Sequence, residues 1–142
     1  MAQTFSTELA GISSLPAVKP AVPAYGGRLR RYRASIVFAA QTPTAGNEIV
    51  LAKIPAGQAF AYAVQTTDTS TAATTISIGT ATSAATYSAA AAFTTTDTPT
   101  IVGKTSAIKA AAYAVEETFL LTGSAALPGA GNLVVDIYTS QA

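Results

Sequence analysis

The shortness of its patterned segments constrains this chain most. After Gly27, apolar and β-branched residues come in brief runs, each closed by a stretch of Gly, Pro, Thr, Ser or Asn. A parallel βαβ sheet needs a crossover of about ten residues or more between strands, usually a helix, and no such helical pattern is present. About seven or eight short strands with turn-rich connections point instead to an antiparallel sandwich or barrel. The expected fold class is all-β: an antiparallel β-sandwich of jelly-roll type with an extended N-terminal arm.

The segment that opens the body is Gly26-Gly27-Arg28-Leu29-Arg30-Arg31-Tyr32-Arg33-Ala34-Ser35-Ile36-Val37-Phe38. The two glycines form a hinge, because glycine tolerates positive φ. Beyond them, Arg30, Tyr32, Ala34, Ile36 and Phe38 share one strand face, and Arg31, Arg33 and Ser35 share the other. The strand starts basic and ends apolar, so one end suits a core and the other a partner. An acidic protein surface is the partner that these arginines fit, although arginine stems also lie readily on a solvated sheet. Nucleic acid fits less well: the basic cluster is short, Tyr25 and Tyr32 are the only aromatics near it, and the net charge is only +1.

Residues 1–26 read as the arm and residues 27–142 as the sandwich. Pro16, Pro20 and Pro23 lack amide donors and push the residues before them toward extended backbone. Thr7 to Ile12 has room for one helical turn. Phe5, Leu9, Ile12, Leu15, Val18 and Val22 make the arm too apolar for a purely solvated tail, so it is expected to dock on its own sheet or on a neighbour.

Further strands are expected at Glu48–Ile54, Gln58–Thr67, Thr74–Ala81, Thr100–Ala107, Glu116–Thr122 and Asn132–Ser140. In the second strand, Ile49 and Leu51 oppose Val50, Ala52 and Ile54. In the third, strict alternation places Phe60, Tyr62 and Val64 in the core and Ala59, Ala61 and Ala63 on the opposite face. Ile76, Ile78 and Ile101 are expected to point inward, with Gly103 marking a bulge. Phe119 and Leu121 oppose Leu120. Leu133, Val135 and Ile137 share a face that excludes Asp136. The alanine run in Ser83–Ala92 favours one or two helical turns, and Ile108–Tyr113 suits either a helical turn or a loop.

Composition narrows the function. A chain of 142 residues buries roughly 70% of its unfolded surface without staples. It has no cysteine and no histidine, which removes disulfides, thiolate sites, Ser-His-Asp and Cys-His catalysis, and the commonest metal ligand. The carboxylates are Glu8, Glu48, Asp68, Asp97, Glu116, Glu117 and Asp136. Adjacent Glu116 and Glu117 point to opposite faces of a strand and make a poor acid–base pair. Gly103-Lys104-Thr105 matches only the end of a phosphate-binding loop, without the upstream glycine or a following helix. No catalytic, cofactor or metal site is expected, and the chain does not read as an enzyme. Met1–Thr4 lacks the basic start of an export signal, and no run approaches the roughly 20 apolar residues of a membrane helix, so no membrane partner is expected.

Several stretches carry a resemblance. They are Ser6-Thr7-Glu8-Leu9-Ala10-Gly11, Tyr25 through Ala34, Ile54-Pro55-Ala56-Gly57, Ile76-Ser77-Ile78-Gly79-Thr80-Ala81 and Leu133-Val134-Val135-Asp136-Ile137-Tyr138. Together they resemble small tailed-bacteriophage virion proteins, in particular head decoration (cement) proteins. The resemblance implies a β-sandwich on the outer capsid surface, often trimeric, with the major capsid protein as partner and an arm that clasps neighbours. It also implies synthesis in the host bacterial cytoplasm. The partner contacts would then be Phe5, Leu9, Ile12, Leu15, Val18 and Val22 of the arm, with Arg28, Arg30, Arg31 and Arg33 facing acidic shell residues. The alternative is a tail, fibre or head–tail subunit, including a jelly-roll module that reads a host glycan through Tyr62, Tyr87, Tyr113 or Tyr138.

Overall fold

A computed structural model describes residues 27–41, 48–108 and 111–141. In chain order the elements are β1 (Arg28–Val37), β2 (Glu48–Ile54), β3 (Gln58–Thr67), β4 (Ile76–Thr80), β5 (Ser83–Ala91), β6 (Thr100–Val102), the single turn α1 (Thr105–Ile108), β7 (Glu117–Gly123) and β8 (Asn132–Gln141). Two four-stranded antiparallel sheets form, ordered β1-β8-β3-β6 and β2-β7-β4-β5. The pairings are nested: β1 with β8, β2 with β7, β3 with β6, and β4 with β5. They are those of one long eight-stranded hairpin, which the β3·β8 and β4·β7 pairings roll into a sandwich. This is the jelly-roll arrangement expected from the strand spacing.

The inner faces carry the core. Ile36 and Phe38 of the β1 end, Ile54, Phe60, Ile76, Ile78, Phe119, Leu121, Leu133, Val135 and Ile137 are all buried. An aromatic cluster ties the sheets together. Tyr87 of β5 stacks on Phe119 of β7 with centroids 3.9 Å apart, and Phe60 of β3 reaches both, at 5.0 and 5.9 Å. Asp68, just after β3, holds the start of β8. Its carboxylate accepts the Asn132 backbone N–H at 2.7 Å and side-chain amide at 2.6 Å.

Two single-residue bulges overturn the simple alternation expected of β2 and β3. In β2 the register against β7 shifts between Val50 and Ala52, leaving Leu51 as the extra residue. Leu51 and Ile54 are therefore both buried, while Val50 is 57% exposed. In β3 the register against β8 shifts between Phe60 and Tyr62, so Ala61 is extra. Phe60 enters the core, but beyond the bulge the inner positions are Ala63, Gln65 and Thr67, and Tyr62 and Val64 turn outward. A bulge shifts the two-residue period by one and exchanges the faces after it.

Other expectations also change. Ser83–Ala91 is a strand, not helical turns: its pairing with β4 outweighs the small helix preference of alanine. The strand expected over Thr100–Ala107 is only Thr100–Val102, followed by α1. Ile101 points outward and is 72% exposed, because it lies level with the outward Val64. Gly103 marks no bulge; it sits between β6 and α1 against the Ile108 side chain and the Phe60 ring. The arm reading and its six apolar residues, Phe5, Leu9, Ile12, Leu15, Val18 and Val22, lie outside the described residues, as does the helical turn at Thr7–Ile12.

Candidate partner-binding surface

β1 is an edge strand: it pairs with β8 on one side and with no other described strand. Its apolar end is anchored by Ile36, which is 2% exposed. Midway, the Tyr32 hydroxyl hydrogen-bonds to the buried Gln58 amide of β3, whose carbonyl oxygen also accepts the Thr139 hydroxyl of β8. That network joins β1, β3 and β8, with Gln58 and Thr139 both fully buried. Beyond it, Arg28, Leu29, Arg30 and Arg31 are all exposed. The strand is thus core-anchored at one end and basic and exposed at the other, as its sequence suggested.

All four sequence-predicted arginines come together on β1, but they are not equivalent. Arg33 lies opposite Asp136 of β8 and donates from Nε and from the second terminal nitrogen to the two carboxylate oxygens, each at 2.7 Å. The Arg33 side chain remains about half exposed (53%), while that of Asp136 is 12% exposed. The hydrogen bond and charge of Asp136 push the Arg33 guanidinium pKa further up. The Arg33 hydrogen bonds hold the Asp136 carboxyl below its ordinary value of 3.8, against partial desolvation; the charges of Arg33 and Arg31 add to the lowering. Arg28, Arg30 and Arg31 have no ion pair among the described residues.

The described cations are Arg28, Arg30, Arg31, Arg33, Lys53 and Lys104, and the described anions are Glu48, Asp68, Asp97, Glu116, Glu117 and Asp136. Among the described residues the charges balance, yet four of these six cations lie on β1, so the described charge is polarised rather than uniformly basic. The outer face of the same sheet continues the surface. Arg31 lies opposite Tyr138, which lies opposite Tyr62, and the two tyrosine rings stack at 4.6 Å and 19°. In the next row Arg33, Asp136, Val64 and Ile101 follow one another across the sheet. Sequence reasoning missed the stacked pair beside the arginines and the exposed Ile101. Both depend on the β3 bulge, which has no residue signature.

The other tyrosines proposed as glycan readers lie elsewhere. Tyr87 is 4% exposed in the core. Tyr113 packs against the core cluster, edge-on to Phe119, and burial raises its hydroxyl pKa well above the ordinary value. Among the described residues no group of three or more His, Cys, Asp or Glu side chains is placed to hold a metal ion. A hollow of about 220 Å³ beside the β3–β4 loop is lined by Ser70, Thr71, Ala73, Thr74, Ala126 and Pro128 and contains no titratable side chain. No described helix is long and apolar enough to cross a membrane.

The Arg33–Asp136 pair sets a pH dependence. A carboxylate held low only in the folded chain stabilises the fold fully above its unfolded pKa, and that contribution is lost as pH falls through the depressed folded value. The difference in melting temperature between the native protein and Asp136→Asn is expected to be constant from neutral pH down to about pH 4 and to close below it. Thermal melts across that range check this. A difference that stays open in acid would mean the asparagine disturbs packing, not the ion pair.

No family model and no curated protein matches the chain. Two solved structures share its fold. A chain in the capsid of Ralstonia phage GP4 superposes with a TM-score of 0.62 at 15% identity, covering 82% of this chain and 86% of that one. A chain in the cyanophage Pam1 capsid asymmetric unit gives 0.53 at 16% identity, covering 83% and 88%. At such identities the likeness is one of fold: a jelly roll matched over most of both chains.

Proposed function

We propose that this protein is a structural, non-enzymatic component of a bacteriophage virion, and that it decorates and stabilises the capsid by binding the outer shell across capsomer contacts. The observation that carries this reading is the jelly roll shared, over more than four-fifths of the chain, with chains of two phage capsid structures. The polarised charge of β1 supports a protein-binding role: Arg28, Arg30 and Arg31, which have no ion pair among the described residues, suit acidic residues of the major capsid protein. In this reading the protein acts as a homotrimer, and the arm of residues 1–26 clasps a neighbouring subunit or the shell. Stabilisation follows from linkage, since a ligand that binds only the assembled shell raises the free energy needed to open it. Immunogold labelling of intact particles tests the proposal. Label over heads, lost when the outer shell is stripped of bound proteins, is expected. Label confined to tails or fibres would overturn it in favour of a tail or receptor-reading role.

A further inference from the structure

The free edge of β1 is open in a defined pattern. Phe38 donates its N–H to the Gly131 carbonyl, on the β8 side, at 2.9 Å. Val37 faces the other way: its N–H donates to the Gln41 side-chain oxygen at 2.9 Å, and its carbonyl accepts the N–H groups of Ala40 and Gln41. Backbone groups alternate sides along a strand. The N–H and C=O of Ser35, Arg33, Arg31 and Leu29 therefore point away from β8, where no described strand meets them. Among the described residues, the turn after β1 closes this edge at Val37 alone. All four open residues are exposed, and they lie among arginines that project to both faces of the sheet.

We infer that this edge is a strand-addition site for an extended, acidic segment of a partner protein. Three considerations select that occupant. An open edge offers donors and acceptors in alternation, which another polypeptide backbone satisfies and a chain of phosphates, having only acceptors, does not. The cations of β1 attract carboxylates placed on either face of the incoming strand. A second copy is disfavoured, because the antiparallel register that uses all four open residues lines up Arg28, Arg30 and Arg31 of both copies along one seam, where Asp136 offsets only the charge of Arg33. Arginine-rich edges resist self-pairing for this reason. The inference deepens the shell-binding proposal by naming its mode of contact, and it rests on that proposal only for which protein supplies the segment.

The test needs no capsid, so its failure is separable from that of the virion proposal. The full chain is titrated with a blocked synthetic peptide of glutamate and threonine, while amide hydrogen exchange is followed residue by residue. Exchange at Leu29, Arg31, Arg33 and Ser35 is expected to slow about tenfold or more at saturation, with Tyr32, Ala34 and Ile36 unchanged because β8 already protects them. The same peptide with lysine for glutamate is expected to bind at least about tenfold more weakly. Ser35→Pro removes one edge donor and no β8 bond, and it is expected to reduce binding while leaving the other three sites protected. Arg28→Ala/Arg30→Ala/Arg31→Ala leaves the backbone intact and is expected to abolish most of the salt dependence. Equal binding of the lysine peptide, absence of the alternating protection, protection that grows with protein concentration alone, or tighter binding of a single-stranded oligonucleotide would each overturn the inference.

Discussion

Phe119→Ala is expected to destabilise the protein by about 3–5 kcal/mol, the range for deleting a buried aromatic ring. Phe119 is fully buried, and its ring is the centre of the aromatic cluster. It stacks on Tyr87 at 3.9 Å, meets Phe60 of the opposite sheet at 5.9 Å and takes the edge of Tyr113 at 6.2 Å. Truncation would separate one sheet's contribution from the other's and leave a cavity that neither rigid sheet can collapse to fill. Domains of this kind have about 5–15 kcal/mol of stability in all, so the variant should lose a large share of it. Urea denaturation measures the effect. Tyr62→Ala is the internal comparison: it removes an aromatic stack as well, but on the outer face, where the ring is only half-buried. It is expected to cost less than half as much. A Phe119→Ala cost below about 1.5 kcal/mol would show that the cluster is not the tie between the sheets.

Much of this architecture is legible in the residues, and the failures share one cause. The bounds of β2 and β3 follow from Pro55-Ala56-Gly57, a turn closed by Gly57 at φ 84°. The inward set of β8 follows from the unbroken alternation of Leu133, Val135 and Ile137, all 0% exposed. Alternation fails wherever a bulge intervenes, at Leu51 in β2 and Ala61 in β3. Neither residue is marked by type, since Leu51 lies in an apolar run and Ala61 is one of the alternating alanines Ala59, Ala61 and Ala63, and the bulge exists only relative to a partner strand distant in sequence. The same holds for β5, where an alanine run with helix preference becomes a strand because β4 offers it a ladder.

The candidate site divides the same way. That four arginines share one strand is visible directly, as is the period that sends Arg31 and Arg33 to one face. That Arg33, alone of the four among the described residues, has an ion-pair partner requires Asp136, 103 residues away, and the β1·β8 register joins them. The open edge is likewise a property of topology: among the described strands β1 has one pairing neighbour, β8, and nothing local to Leu29–Ser35 marks which amides face outward.

Gly79→Ala is expected to be as damaging, for a backbone reason. β4 has five residues and β5 nine, and their register slips twice, with Ile78 opposite Ser88 but Thr80 opposite Ser83. The surplus residues of β5 bulge over β4 at Gly79 and carry Tyr87 into the core. A Cβ on Gly79 would collide with the Ser83 carbonyl oxygen and the Ala84 backbone. These are main-chain atoms that no rotamer change can move. The cost should reach the upper end for overpacking, about 3 kcal/mol or more, and should loosen β5 and the Tyr87 stack with it. Two other glycines separate this cause from the general effects of replacing glycine. Gly57 has open space around it but a φ of 84°, so Gly57→Ala is expected to cost about 1–2 kcal/mol through strain alone. Gly129 has neither a close neighbour nor a positive φ, so Gly129→Ala should change stability by no more than about 0.5 kcal/mol. Urea midpoints of the three variants should fall in that order, with near-ultraviolet circular dichroism of the tyrosines changing only for Gly79→Ala. A Gly79→Ala protein as stable as Gly129→Ala would mean that β5 does not cross β4 at that point, and the bulge that delivers Tyr87 to Phe119 would have to be redrawn.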